Sequence, residues 1–323
     1  MSLARDPQAR FARYAWLVLA YTVGVVLWGA FVRATGSGAG CGAHWPRCNG
    51  VVIPRDPSVE TLIEFTHRAT SGLAFLAVAA MLWMAFRRFG RGHPARTGAV
   101  WSMVLMITEA GVGAGLVLLE LVAGNTSQAR AGWMAVHLVN TFLLLGAITL
   151  TAWWAGGGRR MRVRGQGLAG FLALAPIVLT LLVGVTGAIT ALGDTLFPKT
   201  SVGLTGGAHF LERLRIVHPF LAIGTAVFAV AAASALRRLR PDPTTARLSH
   251  AVTALFGIQI LAGTVNVVLL APTWMQIVHL LLADALWIAL VLAAASALGE
   301  EAVADGIAAP GAMRGRPALV GSD

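Results

Sequence analysis

Eight histidines lie along the 323-residue chain, and four of them, His67, His137, His218 and His279, recur near the start of every second apolar run. A polar residue in a membrane span is rare and usually functional, and neutral imidazole is the commonest metal ligand among side chains. Two imidazoles facing each other across a four-helix bundle supply both axial ligands of a haem, with the apolar interior holding the macrocycle. The plainer reading of any one such histidine is a hydrogen bond to a neighbouring helix; four in a repeated pattern weigh against it. Zinc fits less well, because nothing else at that depth supplies a third or fourth ligand. His44, His93, His209 and His250 fall in connecting loops and receive no cofactor.

Other chemistry gathers around the first histidine. Glu64 precedes His67 by three residues, which puts both side chains on one helix face. As a functional group it is a carboxylate beside a haem, able to move protons or position a reacting group; as a structural one it is only a favourable partner for a helix N-terminus. Arg68 and Arg215 are candidates for haem propionates, or helix-end cations that merely snorkel. Cys41 and Cys48, the only cysteines, share a loop rich in glycine. On an oxidising side of a membrane they favour a disulfide, either a loop staple or a redox pair. Glu109 stands inside a span, where it would line a haem cavity or a proton path.

The elements that position these groups follow from composition. The chain is 57% hydrophobic and 12% charged, with mean hydropathy +0.73, whereas a soluble chain carries about 25% charged residues. It is an integral membrane protein. Segments near 14–32, 64–86, 97–122, 133–154, 168–192, 214–236, 248–271 and 274–298 have spanning length, about 20 residues each. Unbroken apolar runs without in-out alternation form helices and not barrel strands, so the fold class is all-α with eight transmembrane helices.

The net charge of +11 is mostly topological. Of 25 basic residues, 17 lie in the N-terminal segment, in alternate loops carrying four arginines each, or in the C-terminal tail. The positive-inside rule therefore places both termini in the cytoplasm, and no nucleic-acid partner is needed. The first apolar run lacks a small-residue cleavage site and is taken as a retained helix. The tail, 301–323, rich in Ala and Gly, is expected to be disordered.

The two halves repeat each other. Glu109-Ala-Gly-Val-Gly113 matches Gln259-Ile-Leu-Ala-Gly263, and Trp133-Met-Ala-Val-His137 matches Trp274-Met-Gln-Ile-Val-His279, at offsets of 150 and 142 residues. Gly29-Ala likewise resembles Gly187-Ala, and Thr66-His67 resembles Val217-His218. The expected architecture is two pseudo-symmetric four-helix bundles, 1–155 and 156–300, related by duplication.

With these residues in view, Gly29-Ala-Phe-Val-Arg-Ala-Thr-Gly-Ser-Gly-Ala-Gly-Cys41, Trp45-Pro-Arg-Cys48 and Glu64-Phe-Thr-His67-Arg68 resemble the haem A synthase family of cytochrome oxidase assembly. The resemblance covers essentially the whole eight-helix region. It implies that the first half is the catalytic site for haem O, its iron held by His67 and His137, and that the second holds a resident haem b on His218 and His279. It further implies that Glu64 is the essential acid and that Cys41 and Cys48 are the loop cysteine pair. The implied reaction oxidises the C8 methyl of haem O to the formyl group of haem A, by two hydroxylations and loss of water, with haem b passing electrons. Implied partners are membrane lipid, a haem O synthase and an electron donor, and a homo-oligomer is compatible. The implied location is the inner (plasma) membrane, with the haem sites toward the outer side.

One departure is Pro219, where the family often has arginine after the second-half histidine. A proline there is tolerated at a helix start, and Arg215 is the substitute for a propionate contact. The alternative is a non-catalytic bis-histidine cytochrome or haem carrier; Glu64, without a counterpart before His218, favours catalysis. A prenyltransferase making haem O needs paired aspartates for a magnesium diphosphate, and the seven aspartates form no cluster.

Overall fold

A computed structural model describes residues 7–199 and 209–299. Eight helices are long and apolar enough to cross a membrane: α1 (Pro7–Ala34), α2 (Val59–Arg88), α3 (Pro94–Leu118), α4 (Gln128–Ala155), α5 (Gly167–Leu196), α6 (Phe210–Leu239), α7 (Pro243–Val268) and α8 (Thr273–Ala297). The first turns of α6 are a short α-turn, Phe210–Arg213, and a 3-10 turn, Leu214–Ile216, ahead of the regular helix Val217–Leu239. No strand is formed among the described residues. The chain is thus an all-α, multi-pass membrane protein; the tail 301–323 lies outside the described residues.

Helix ends are set by caps that hydropathy does not register. The Ser58 hydroxyl accepts the Thr61 N–H at 3.2 Å, and Glu60 sits in the first turn, where an acid complements the helix dipole. Consequently α2 starts at Val59 and not near residue 64, and Glu64 and His67 lie in its second and third turns. Ser127 and Asp242 cap α4 and α7 in the same way, and prolines open α3 and α7. At the other end, α3 and α7 stop earlier than their apolar runs. Glu120 (φ 54) and Leu270 (φ 63) turn left-handed there, and the bonds Leu121 N–H to Leu116 carbonyl (2.8 Å) and Ala271 N–H to Asn266 carbonyl (2.7 Å) close both helices alike. These two ends stand 150 residues apart, at the offset of the glycines.

Within each half the helices close into a ring: α1 on α2, α2 on α3, α3 on α4 and α4 on α1, then α5 on α6, α6 on α7, α7 on α8 and α8 on α5. The rings meet chiefly through α4, which packs on both α5 and α8; α4 and α8 are the two most buried helices. Trp287 of α8 stacks on Phe142 of α4 with ring centroids 5.1 Å apart and donates its indole N–H to the Phe142 carbonyl at 2.6 Å. Lipid is as apolar as leucine, so helix association rests on close packing, which small residues permit. At Gly98 of α3 an added Cβ would lie 2.5 Å from the Thr151 hydroxyl and 3.2 Å from its Cα on α4, whereas at Gly72 it would meet nothing within 4 Å. Gly98→Val should therefore destabilise the detergent-solubilised protein by about 1–3 kcal/mol, the usual range for overpacking, read as a lowered Tm; Gly72→Ala should leave Tm unchanged.

Candidate functional site

The four repeated histidines lie in the even-numbered helices, and three of them rest on a glycine of the preceding helix. A Cβ at Gly29 would stand 2.9 Å from Cε1 of His67, one at Gly187 3.0 Å from Cε1 of His218, and one at Gly263 3.1 Å from Cε1 of His279. Any larger residue would push the ring aside. Gly29, Gly187 and Gly263 are thus cradles for imidazoles, a role invisible in the sequence until the helices are packed.

In the second half His218 and His279 face each other with ring centroids 6.4 Å apart and planes at 90°. A metal ion bonded to two imidazoles through metal–nitrogen bonds of about 2.0–2.1 Å places the centroids roughly 6 Å apart, so the pair fits a single iron between the rings. Nδ1 of His218 lies 3.2 Å from the Val183 carbonyl and 3.3 Å from the Thr186 hydroxyl. That partner fixes the ring and leaves Nε2 to ligate, the usual arrangement of a metal-bound histidine. Gln259 reaches His279 from α7, donating to its carbonyl at 3.1 Å. Buried Nδ1 atoms of His67, His137 and His279 have no hydrogen-bond partner among the described residues. Gly113, the counterpart of Gly263, does not touch a histidine; instead Glu109 Oε1 lies 3.5 Å from Nδ1 of His137.

Glu64 is buried, with 3% of its surface exposed, and both its oxygens are engaged. Oε2 accepts the Cys41 N–H at 2.8 Å, while Oε1 accepts from Arg68, through Nε at 3.1 Å and through Nη2. Arg68 Nη1 also donates to the carbonyls of His44 (2.6 Å) and Arg47 (2.8 Å). Arg68 and Glu64 therefore clamp the cysteine loop onto α2. Cys41 and Cys48 are joined as a disulfide and both are buried. The loop approaches the helix start so closely at Gly40 that a Cβ there would lie 2.4 Å from the Glu60 carbonyl.

The other expected propionate cation is also engaged. Arg215, 5% exposed, has Nε 2.9 Å from Asp194 Oδ1, an ion pair with the N–H pointing off the oxygen, and donates through Nη2 to the carbonyls of Gly193 (2.8 Å) and Phe197 (2.5 Å). Beside it Arg33 crosses from the first half to the second, donating to the Ala191 carbonyl and the Thr195 hydroxyl, both at 2.7 Å, and to Gln276 Oε1 at 2.9 Å. Sequence reasoning missed Asp194, Thr195 and Gln276, whose neighbours here come from distant parts of the chain. It also missed Asp284, fully buried in α8 with neither oxygen hydrogen-bonded among the described residues; an acid inside a span was its only signal.

Fold and site together define a polytopic helical membrane protein with two histidines toward one end of each four-helix ring, those of the second ring facing each other. The chain matches the family described as cytochrome oxidase assembly protein over residues 12–291, and belongs to it. It is 54% identical over 300 residues to proteins named protoheme IX farnesyltransferase in two strains of Thermus thermophilus, covering 91% of this chain and 49% of theirs. The chain thus spans about half the length of these relatives. It is also similar to the haem A synthase of Alkalihalophilus pseudofirmus, 36% identical over 126 residues, which is 39% of this chain and 40% of that one. The Bacillus cereus haem A synthase is 40% identical over 94 residues, 29% of this chain and 30% of its own.

Removal of Arg68 would leave a buried carboxylate without its cation, a loss of about 3–5 kcal/mol for a buried pair. Arg68→Ala should speed amide exchange across 41–51 in deuterium-exchange mass spectrometry. Arg68→Lys should restore protection only partly, since an ammonium cannot serve the carboxylate and both carbonyls in Arg68's fixed geometry.

Proposed function

We propose that this chain is a haem A synthase, taking haem O as substrate and oxidising its C8 methyl to a formyl group, with a resident haem b in the other half. The observation that carries the reading is an asymmetry on a repeated frame. His67 and His218 occupy matching cradles, but the residue three positions earlier is Glu64 in the first half and Arg215 in the second, both buried. One half places a carboxylate beside its histidine, and the other a cation.

In this reading 1–155 is the catalytic half and 156–300 the electron-transfer half. His67 and His137 hold the substrate through its iron, and His218 and His279 hold haem b, the paired rings and the Val183 bond fitting that role. When bound, haem b supplies one-electron transfer, and the axial ligands and surrounding hydrogen bonds tune it. Glu64 is kept within a turn of His67 by Arg68 and the Cys41 N–H, so its carboxylate is fixed in place to hold or pass a proton during oxidation of the methyl group. The disulfide loop, pinned by the same two residues, covers that end of α2 and excludes water. Burial of both sulfurs favours the staple over a redox role for Cys41 and Cys48. Arg68 and Arg215, engaged with Glu64 and Asp194, would meet propionates only through donors those bonds leave over. The charge pattern supports cytoplasmic termini and haem sites on the outer side of the plasma membrane, with a haem O synthase and an external electron donor as partners.

The farnesyltransferase name of the Thermus relatives is not carried over to this chain, because prenyl transfer needs clustered aspartates for a metal diphosphate and the aspartates here are scattered. A non-catalytic bis-histidine cytochrome is separated by co-expression with a haem O source and chromatography of the extracted haems: haem A marks the enzyme, haem b alone the cytochrome.

Glu64→Ala should leave haem content largely intact and abolish haem A production; a normal haem A yield removes Glu64 from the mechanism. His218→Ala or His279→Ala should lose the low-spin haem b spectrum, and an unchanged spectrum would reverse the assignment of the halves.

A further inference from the structure

We propose that Glu109 is a positioning residue for His137, a carboxylate that accepts the Nδ1–H of that imidazole and makes the first-half histidine pair more strongly electron-donating than the second. This rests on the assignment of a haem to His67 and His137. Glu109 Oε1 stands 3.5 Å from His137 Nδ1, beyond an ordinary N–H···O distance of about 3 Å but within reach of a small rotation, and that buried nitrogen has no hydrogen-bond partner among the described residues.

The carboxylate is held for this task. The Thr141 hydroxyl lies 2.5 Å from Oε1 and 2.9 Å from the His137 carbonyl, its single proton shared between these two acceptors, and the Asn140 amide donates to Oε2 at 2.5 Å. Asn140 is itself fixed by the Leu105 carbonyl at 2.9 Å and the Thr108 hydroxyl at 2.6 Å. Asn140 and Thr141 follow His137 by three and four residues, so one face of α4 carries the ligand and both supports of its partner. The repeat lacks this arrangement. Gln259 stands at the position of Glu109, and Leu282 and Ala283 follow His279 where Asn140 and Thr141 follow His137.

A carboxylate accepting from a metal-bound imidazole raises the basicity of the ligating nitrogen, which favours the oxidised iron and lowers its potential. An amide in the same place does so far less. The two halves, built on one frame, are in this way set to different potentials by one residue.

Redox titration of the purified, haem-loaded full chain, followed in its visible bands, tests this. His137→Ala identifies the first-half component; if it removes none, the haem assignment falls and this inference with it. Glu109→Gln, the residue of the second half, should raise the potential of the first-half component and leave the other in place. Glu109→Asp, which keeps the charge on a shorter side chain, should raise it by less, and carries the test should Glu109→Gln lose its haem. A graded rise confined to the first half is expected. A first-half potential unmoved in the haem-binding variants, or a second-half potential moved equally, overturns the role of Glu109 while leaving the haem assignment standing.

Discussion

An imidazole inside a lipid-embedded bundle needs a neighbour that makes room for it, and here that neighbour is a glycine on the preceding helix. The contacts of Gly29 with His67, Gly187 with His218 and Gly263 with His279 bring each helix pair together where its ring must sit. In lipid there is no hydrophobic drive to press helices together, so such close approach is itself much of what holds them. The same contact that lets the helices meet also orients the chemistry, and three of the four histidines depend on it.

On that common frame the halves have diverged in charge. Glu64 in the first half is tied to Arg68 and, through the Cys41 N–H, to the disulfide loop; Arg215 in the second is tied to Asp194 and two carbonyls of α5. Both are buried ion pairs, costly to desolvate and costly to break, so each fixes its surroundings firmly. One clamps a loop over the first site, and the other binds the entry of α6 to the end of α5. Arg33 joins the halves at that end, and the Trp287–Phe142 stack joins them deeper in the seam. Glu109 continues the divergence, set against Gln259.

The eight spans, their all-α nature and the repeat were legible in the sequence, because hydropathy over about 20 residues reports directly on the lipid environment. The four histidines and Glu64 stood out because ionisable groups are scarce there. Helix limits were less legible. Ser58 adds helix ahead of the apolar run of α2, and Glu120 and Leu270 end α3 and α7 before theirs by adopting left-handed backbone that few non-glycine residues take. Arg68 illustrates a different loss: its place beside His67 pointed to a propionate, yet its donors go to Glu64 and to two loop carbonyls more than 20 residues away in sequence.

What the sequence determined by itself was therefore everything carried by local composition and period: membrane spans, the charge bias of the loops, the paired cysteines and the placement of one histidine on each even helix. Only the tertiary structure decided which faces of the helices meet. Rotation of one helix against another selects a glycine for three of the four rings, Asp194 for Arg215, and Asn140 with Thr141 for Glu109. Those pairings join residues that local patterning treats as independent, because they arise from side-chain packing across helices and not from the preference of any one segment for lipid.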